Sequence, residues 1–208
     1  MAEVNGAATK GLYPYIKHFA LNDQEGNRCS FLLTFASEQA IREIYLKPFE
    51  LATKGYTGTC RAVMSSFNWI GTEPSCANAH LLNNVLRGEW GFVGMVETDY
   101  DGSYGYMISD HCVRSGNDLM LGFASAASNQ FTDNSATATL AMRQSSKNIL
   151  YTIGNSGYYT LSTDNGGMSN MDRLFLIVDV CIGVAILALL AIVFLRYFNK
   201  KKKAKKAA

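Results

Sequence analysis

The stretch Gly91–Gly105, GFVGMVETDYDGSYG, decides how the chain is read. Phe92, Val93, Met95 and Val96 form a short apolar run that stops at Glu97, Thr98, Asp99, Tyr100 and Asp101, then at glycines. A run of this length bounded by turn residues predicts a buried strand over Gly94–Thr98. Glu97, Asp99 and Asp101 stand where that strand meets its loop. Either one of them is catalytic or they only cap a polar turn, and the spacing allows both.

Working outward, strand-like and helix-like patterns alternate. Asn78–Arg87 has helical spacing with Gly88 as its stop, and Arg61–Phe67 reads as a short strand. Ser37 is a suitable N-cap for a helix over Ser37–Lys54, which Pro48 should kink or divide. Tyr13–Leu21 reads as extended. Downstream, Tyr104–Ser115 reads as helical, Asp118–Leu121 as a short apolar run, and Ser135–Thr152 as a helix. Gly154–Ser169 is a linker rich in Gly, Ser and Asn. Four strand–helix units in series predict an α/β fold with a parallel sheet, either doubly wound or a piece of a (β/α)8 barrel. In both, chemistry belongs at the C-terminal strand ends. Polar residues collect there: Lys17 and His18, then Ser65, Ser66 and Asn68, then Glu97, Thr98 and Asp99.

Of 19 Lys and Arg residues, seven fall in the last thirteen positions: Arg196, Lys200–Lys203, Lys205 and Lys206. The remaining twelve face 17 acidic residues, a formal −5. A mildly acidic body argues against nucleic acid as its partner, and the basic tail is a separate device. The five cysteines are scattered, with no CxxC and no Cys/His cluster, so they predict buried thiols, no disulfide framework and no metal. No glycine-rich phosphate loop is present, and no cofactor is expected.

The segment Leu174–Leu195 carries one charge, Asp179. As a helix its 22 residues would span about 33 Å, enough for a bilayer core of about 30 Å. Arg173 precedes it; Arg196, Tyr197 and the lysines follow, as at the ends of a membrane anchor. The expected organisation is a domain over 1–160, a linker over 161–173, a transmembrane helix over 174–195 and a basic cytoplasmic tail over 196–208. That places the chain in the cell membrane with a single pass and residues 1–170 outside. The N-terminal residues show no apolar stretch of signal-peptide length.

A Ser-His-Asp triad of Ser65 or Ser66, His18 and Asp99 lacks the GxSxG elbow and is set aside. A strand-end carboxylate beside a Lys-His pair suits glycosidic cleavage, where positive charge grows on the anomeric carbon. The segments YIKHFALNDQEGNR (Tyr15–Arg28), SEQAIREIYLKPFELA, AVMSSFNWIGTEPSCANAHLLNNVLRGEWGF, GMVETDYDG, SGNDLMLG and AMRQSSKNILYTIGNSGYY resemble, in order, those of family-3 glycoside hydrolases. The likeness covers roughly residues 11–160 and is to the β-glucosidase group.

The resemblance implies the second half of a (β/α)8 barrel, about four βα units, in a retaining β-glucosidase. It makes Asp99 the nucleophile, Lys17 and His18 ligands of sugar hydroxyls, and Phe67 an aromatic wall where many relatives have tyrosine. Tyr100 stands where tryptophan is usual. Glu25 and Arg28 are expected to pair structurally, Glu97 and Asp101 to solvate the loop, and Trp69 and Trp90 to pack. The family's sandwich domain, which carries the acid/base, and the first barrel half have no counterpart here. The expected partners are therefore a β-linked glucoside or oligosaccharide, the membrane, and a complementary polypeptide holding the rest of a longer surface-anchored enzyme. The alternative is an inactive, membrane-tethered remnant that binds sugar or that polypeptide.

Overall fold

The computed structural model describes residues 1–54, 60–101, 105–122, 129–161 and 170–207, in two units, Met1–Leu161 and Ser162–Ala208. In the first unit α1 (Ala2–Ala8) precedes β1 (Tyr15–Phe19) and a two-residue β2 (Leu33–Thr34). Next come α2 (Glu38–Ala40), a π-helical stretch Ile41–Tyr45, α3 (Lys47–Lys54), β3 (Ala62–Ser65) and the hairpin β4 (Trp69–Ile70) and β5 (Glu73–Pro74). A 3-10 turn, Ser75–Ala77, and a π-helix, His80–Glu89, lead to β6 (Met95–Glu97), α4 (Ser109–Arg114), α5 (Ala136–Asn155) and α6 (Tyr158–Leu161).

β1, β3 and β6 form a parallel sheet in that order, with Ile16 opposite Val63 and Val63 opposite Val96. These three share one face, because side chains alternate along a strand. They pack there with Leu81, Leu82, Leu86, Trp90 and Phe92 in the main core. The other face carries Tyr15, Met95 and Glu97, and the Tyr15 hydroxyl reaches Met95 Sδ at 3.5 Å. Gly94 admits β6 to the sheet, since a Cβ there would collide with the Arg61 carbonyl. A second small sheet sets β2 parallel to β4 and β4 antiparallel to β5.

The expected elements differ from these in identifiable ways. Ser37 caps its helix, its Oγ accepting from Ala40 N at 3.2 Å. The division falls just before Pro48: Leu46 N bonds to Ile41 O, and Pro48 is second in α3, where a missing N–H costs little. Gly88 does not stop its helix. Leu82, Leu86 and Trp90 anchor that face in the core, and the chain turns instead at Gly91, φ 67°. Of Tyr104–Ser115 only Ser109–Arg114 is helical, because Tyr106 and Met107 enter a second apolar cluster ahead of it; residue 104 lies outside the described residues. The run Asp118–Leu121 and Gly122 after it supply isolated parallel bridges, Glu97–Leu119 and Asp101–Gly122, rather than a full strand. The expected linker holds α6, and its residues 162–169 lie outside the described residues.

In the second unit α7 (Asn170–Ala207) is one helix. Its residues Arg173–Phe194 have a mean hydropathy of 3.0 and are long and apolar enough to cross a bilayer.

Candidate active site

Three parallel strands end side by side, and their ends carry the candidate residues. Beyond β6 the backbone stays pinned: Thr98 N donates to Leu119 O at 2.9 Å, and Leu121 N donates to Thr98 Oγ1 at 2.9 Å. Asp101 N donates to Leu121 O at 2.6 Å. Asp99 is held between these anchors, 7% exposed. Its Oδ1 accepts from Tyr100 N at 2.8 Å. Its Oδ2 is buried with no hydrogen-bond partner among the described residues, and His18 Nε2 stands 3.4 Å away. That approach is too poorly formed to count as a hydrogen bond, and it becomes an ion pair only when His18 is protonated.

His18 comes from the end of β1. Burial, the largest influence, holds its imidazole below the ordinary value of 6.5. Asp99 pulls in the opposite direction, while Lys17 and Arg28 add to the lowering. The ring is therefore neutral near pH 7, able to donate from one nitrogen and accept at the other. Lys17, the preceding residue, is exposed. Phe67 follows β3, is buried, and has the Arg28 guanidinium 4.5 Å above its ring. The Tyr106 hydroxyl donates to the Phe67 carbonyl at 2.9 Å. Asp99 and His18 are thus in contact, and Phe67 is joined to this region through Arg28.

The serines are engaged elsewhere. Ser65 Oγ lies 3.2 Å from Glu97 O, and Ser66 Oγ donates to Ala20 O at 3.0 Å. Two readings of the loop are corrected. Asp101 is fully buried rather than solvating, because its backbone is paired with the 121–122 segment. Glu97 is half-buried within β6, and that burial raises its carboxyl above the ordinary value. Arg28 and Glu25 do pair, at 3.0 Å. Trp90 packs on Phe19 with ring centroids 5.9 Å apart. Trp69 packs on Phe31 and Tyr106. Cys60, Cys76 and Cys112 are buried free thiols, whereas Cys29 is half-buried and Cys181, on α7, is exposed.

Sequence reasoning missed Arg28 as the cover of Phe67 and missed a buried network around Asp118. Asp118 Oδ2 accepts from Arg87 Nη2 at 2.7 Å and Val96 N at 2.8 Å, and its Oδ1 accepts from Asn148 Nδ2 at 2.9 Å. Only a charge inside an apolar run signalled it. Among the described residues no group of three His, Cys, Asp or Glu side chains gathers to hold a metal. A cavity of about 440 Å³ lies among Arg42, Glu50, Lys54, Glu89 and neighbours, whose charges pair with one another, and none of the candidate residues lines it.

The family description "Glycosyl hydrolase family 3 N terminal domain" matches residues 1–121. Beta-glucosidase B of Emericella nidulans is 42% identical over 101 residues, 48% of this chain and 12% of that protein. A beta-glucosidase of Rhizobium radiobacter is 41% identical over 104 residues, 50% of this chain and 12% of that protein. Among solved structures, beta-glucosidase 3B from Thermotoga neapolitana, in complex with α-D-glucose, matches with a TM-score of 0.63 and 30% identity, over 76% of this chain and 23% of that one. Beta-glucosidase from Kluyveromyces marxianus, in complex with glucose, matches with a TM-score of 0.64 and 27% identity, over 81% of this chain and 20% of that one. The chain spans about 12% of the length of these two curated relatives. Its α/β fold, its strand-end carboxylate and these likenesses agree: the chain belongs to glycosyl hydrolase family 3, through that family's N-terminal domain, and is a glycoside hydrolase by family.

Proposed function

We propose that the chain carries the nucleophile of a retaining β-glucosidase, with Asp99 forming the covalent glycosyl intermediate. The observation that carries this reading is the Asp99 carboxylate: buried, fixed through Oδ1, with no hydrogen-bond partner for Oδ2 among the described residues. A buried acceptor without a partner is costly, and such a group invites a functional account. Oδ2 attacks the anomeric carbon as the bond to the aglycone oxygen breaks, and that oxygen takes a proton from an acid. Water, deprotonated by the same group, then cleaves the ester and returns Asp99 as carboxylate. Neutral His18 and exposed Lys17 hold sugar hydroxyls, and Phe67 forms the wall.

The acid/base and the remaining barrel strands come, in this reading, from a complementary polypeptide of a longer surface-anchored enzyme. One observation supports it: a three-stranded parallel sheet, since such sheets need cover and pairing at their edges. The apolar span of α7 anchors the protein in the cell membrane by a single pass. The basic residues after it lie in the cytoplasm and residues 1–170 outside, by the positive-inside rule.

The test is intact-mass measurement after incubating the full chain, in detergent micelles, with 2,4-dinitrophenyl 2-deoxy-2-fluoro-β-glucoside. This leaving group needs little acid, so the label reports the nucleophile alone. One covalent adduct, lost in Asp99→Asn, is expected. An adduct that survives Asp99→Asn, or none on protein shown to be folded, would overturn the assignment for this chain.

A further inference from the structure

Three of the five cysteines, far apart in sequence, meet in the second apolar cluster. Cys76 and Cys112 are fully buried there beside Phe67, Tyr106 and Met107, and half-buried Cys29 packs against the cluster. Cys60 belongs to the main core instead. Cys76 lies in the 3-10 turn Ser75–Ala77 and Cys112 in α4, and these two elements pack on each other. The two thiols are near enough to act on one another. Cys76 is the largest influence on the Cys112 thiol, and with burial and Asp101 it holds that group well above its ordinary value.

The pair joins two supports of the strand ends. Ser75, next to Cys76, donates its hydroxyl to the Phe19 carbonyl at 2.6 Å, at the end of the strand that carries His18. Tyr106, ahead of α4, donates to the Phe67 carbonyl. The chain between the two cysteines, from Ala77 to His111, contains the π-helix, β6 and Asp99. A bond between the thiols would close a loop around the segment that presents Asp99. We propose that Cys76 and Cys112 are a dithiol pair that oxidises to a disulfide accommodated by the native packing. The oxidant is a low-molecular-weight disulfide. One cysteine thiolate attacks a sulfur of that molecule and expels one small thiol. The other cysteine thiolate then attacks the protein-side sulfur of the mixed disulfide and expels the second. The Cys76–Cys112 bond forms, two electrons pass to the small disulfide, and the two thiol protons leave with its halves. Buried Cys112 holds its proton, so exchange waits for local opening of the cluster. The pairing goes beyond the glycosidase reading and does not depend on the role of Asp99.

The test equilibrates the full chain in detergent micelles, without oxygen, in glutathione buffers running from reduced to oxidised. Exchange is stopped with acid, free thiols are alkylated in denaturant, and disulfides are located by peptide mass mapping. A Cys76–Cys112 linkage should appear as one two-electron step and exceed glutathione adducts of either cysteine by about tenfold. The oxidised chain should unfold at a higher denaturant concentration than the reduced one, because the bond constrains the unfolded chain. Cys112→Ala should abolish the linkage, and Cys29→Ala should leave it unchanged. Recovery of Cys76 and Cys112 as thiols or separate adducts throughout, or pairing of either with Cys29, would overturn the proposal. The unsubstituted chain alone decides this, whether or not the variants fold. A lower unfolding midpoint on oxidation would overturn the native fit.

Discussion

Asp99 and Asp118 are both buried carboxylates beside the same strand, yet their surroundings differ completely. Asp118 has both oxygens occupied, by Arg87, Val96 N and Asn148. Burial pushes its carboxyl up while Arg87 opposes the shift, and burial likewise lowers Arg87. Both groups pay for leaving water and are repaid by each other, which makes the pair a structural tie between β6, the π-helix and α5. Asp99 has one oxygen fixed and the other left beside a neutral imidazole. The first arrangement spends its charge on the fold; the second keeps an acceptor available. Burial alone does not mark a catalytic carboxylate; burial with an unused oxygen is what supports the role proposed for Asp99.

The largest expected effect follows from cutting the satisfied site. Arg87→Met should leave Asp118 as an unpaired buried charge and destabilise the first unit by about 3–5 kcal/mol, measured by denaturant unfolding of the full chain. Asp99→Asn removes a charge that the fold does not use and should change stability by less than about 1 kcal/mol. Equal losses in the two variants would break the comparison.

A smaller effect concerns pH. The folded-state value of His18 is lowered, so the unfolded chain binds the proton more readily. Its contribution to stability is complete above the ordinary 6.5 and lost as pH falls below it. The labelling rate should follow the same direction, because a protonated His18 would tie up Asp99 Oδ2. The rate should be level above the ordinary histidine value and decline on the acid side, and His18→Asn should flatten that limb. An acid limb unchanged in His18→Asn would assign it elsewhere.

Much of this was readable from local sequence, and the remainder was non-local. Ser37 caps its helix where the sequence put it, and the helix read from Ser135 begins there, with Ser135 Oγ accepting from Ala138 N, since an N-cap bond spans three residues. The strand that carries His18 and those that precede Phe67 and Asp99 were legible because short strand-like runs are bounded by polar or turn residues. Gly88 misled because a local stop signal was outweighed by Leu86 and Trp90 entering the core. The small sheet of β2, β4 and β5 was invisible, its strands being two residues each and paired across the chain. The same holds for Arg28 over Phe67 and for Arg87 with Asp118, contacts that no spacing rule encodes. The family likeness named Asp99, but it did not reveal that one of its oxygens lacks a hydrogen-bond partner among the described residues.

The most direct test is to locate the fluoroglucosyl label by peptide fragmentation of the modified full chain. The account predicts an ester on Asp99, with Glu97, Asp101 and Asp118 unmodified. A label on any of those three would contradict it.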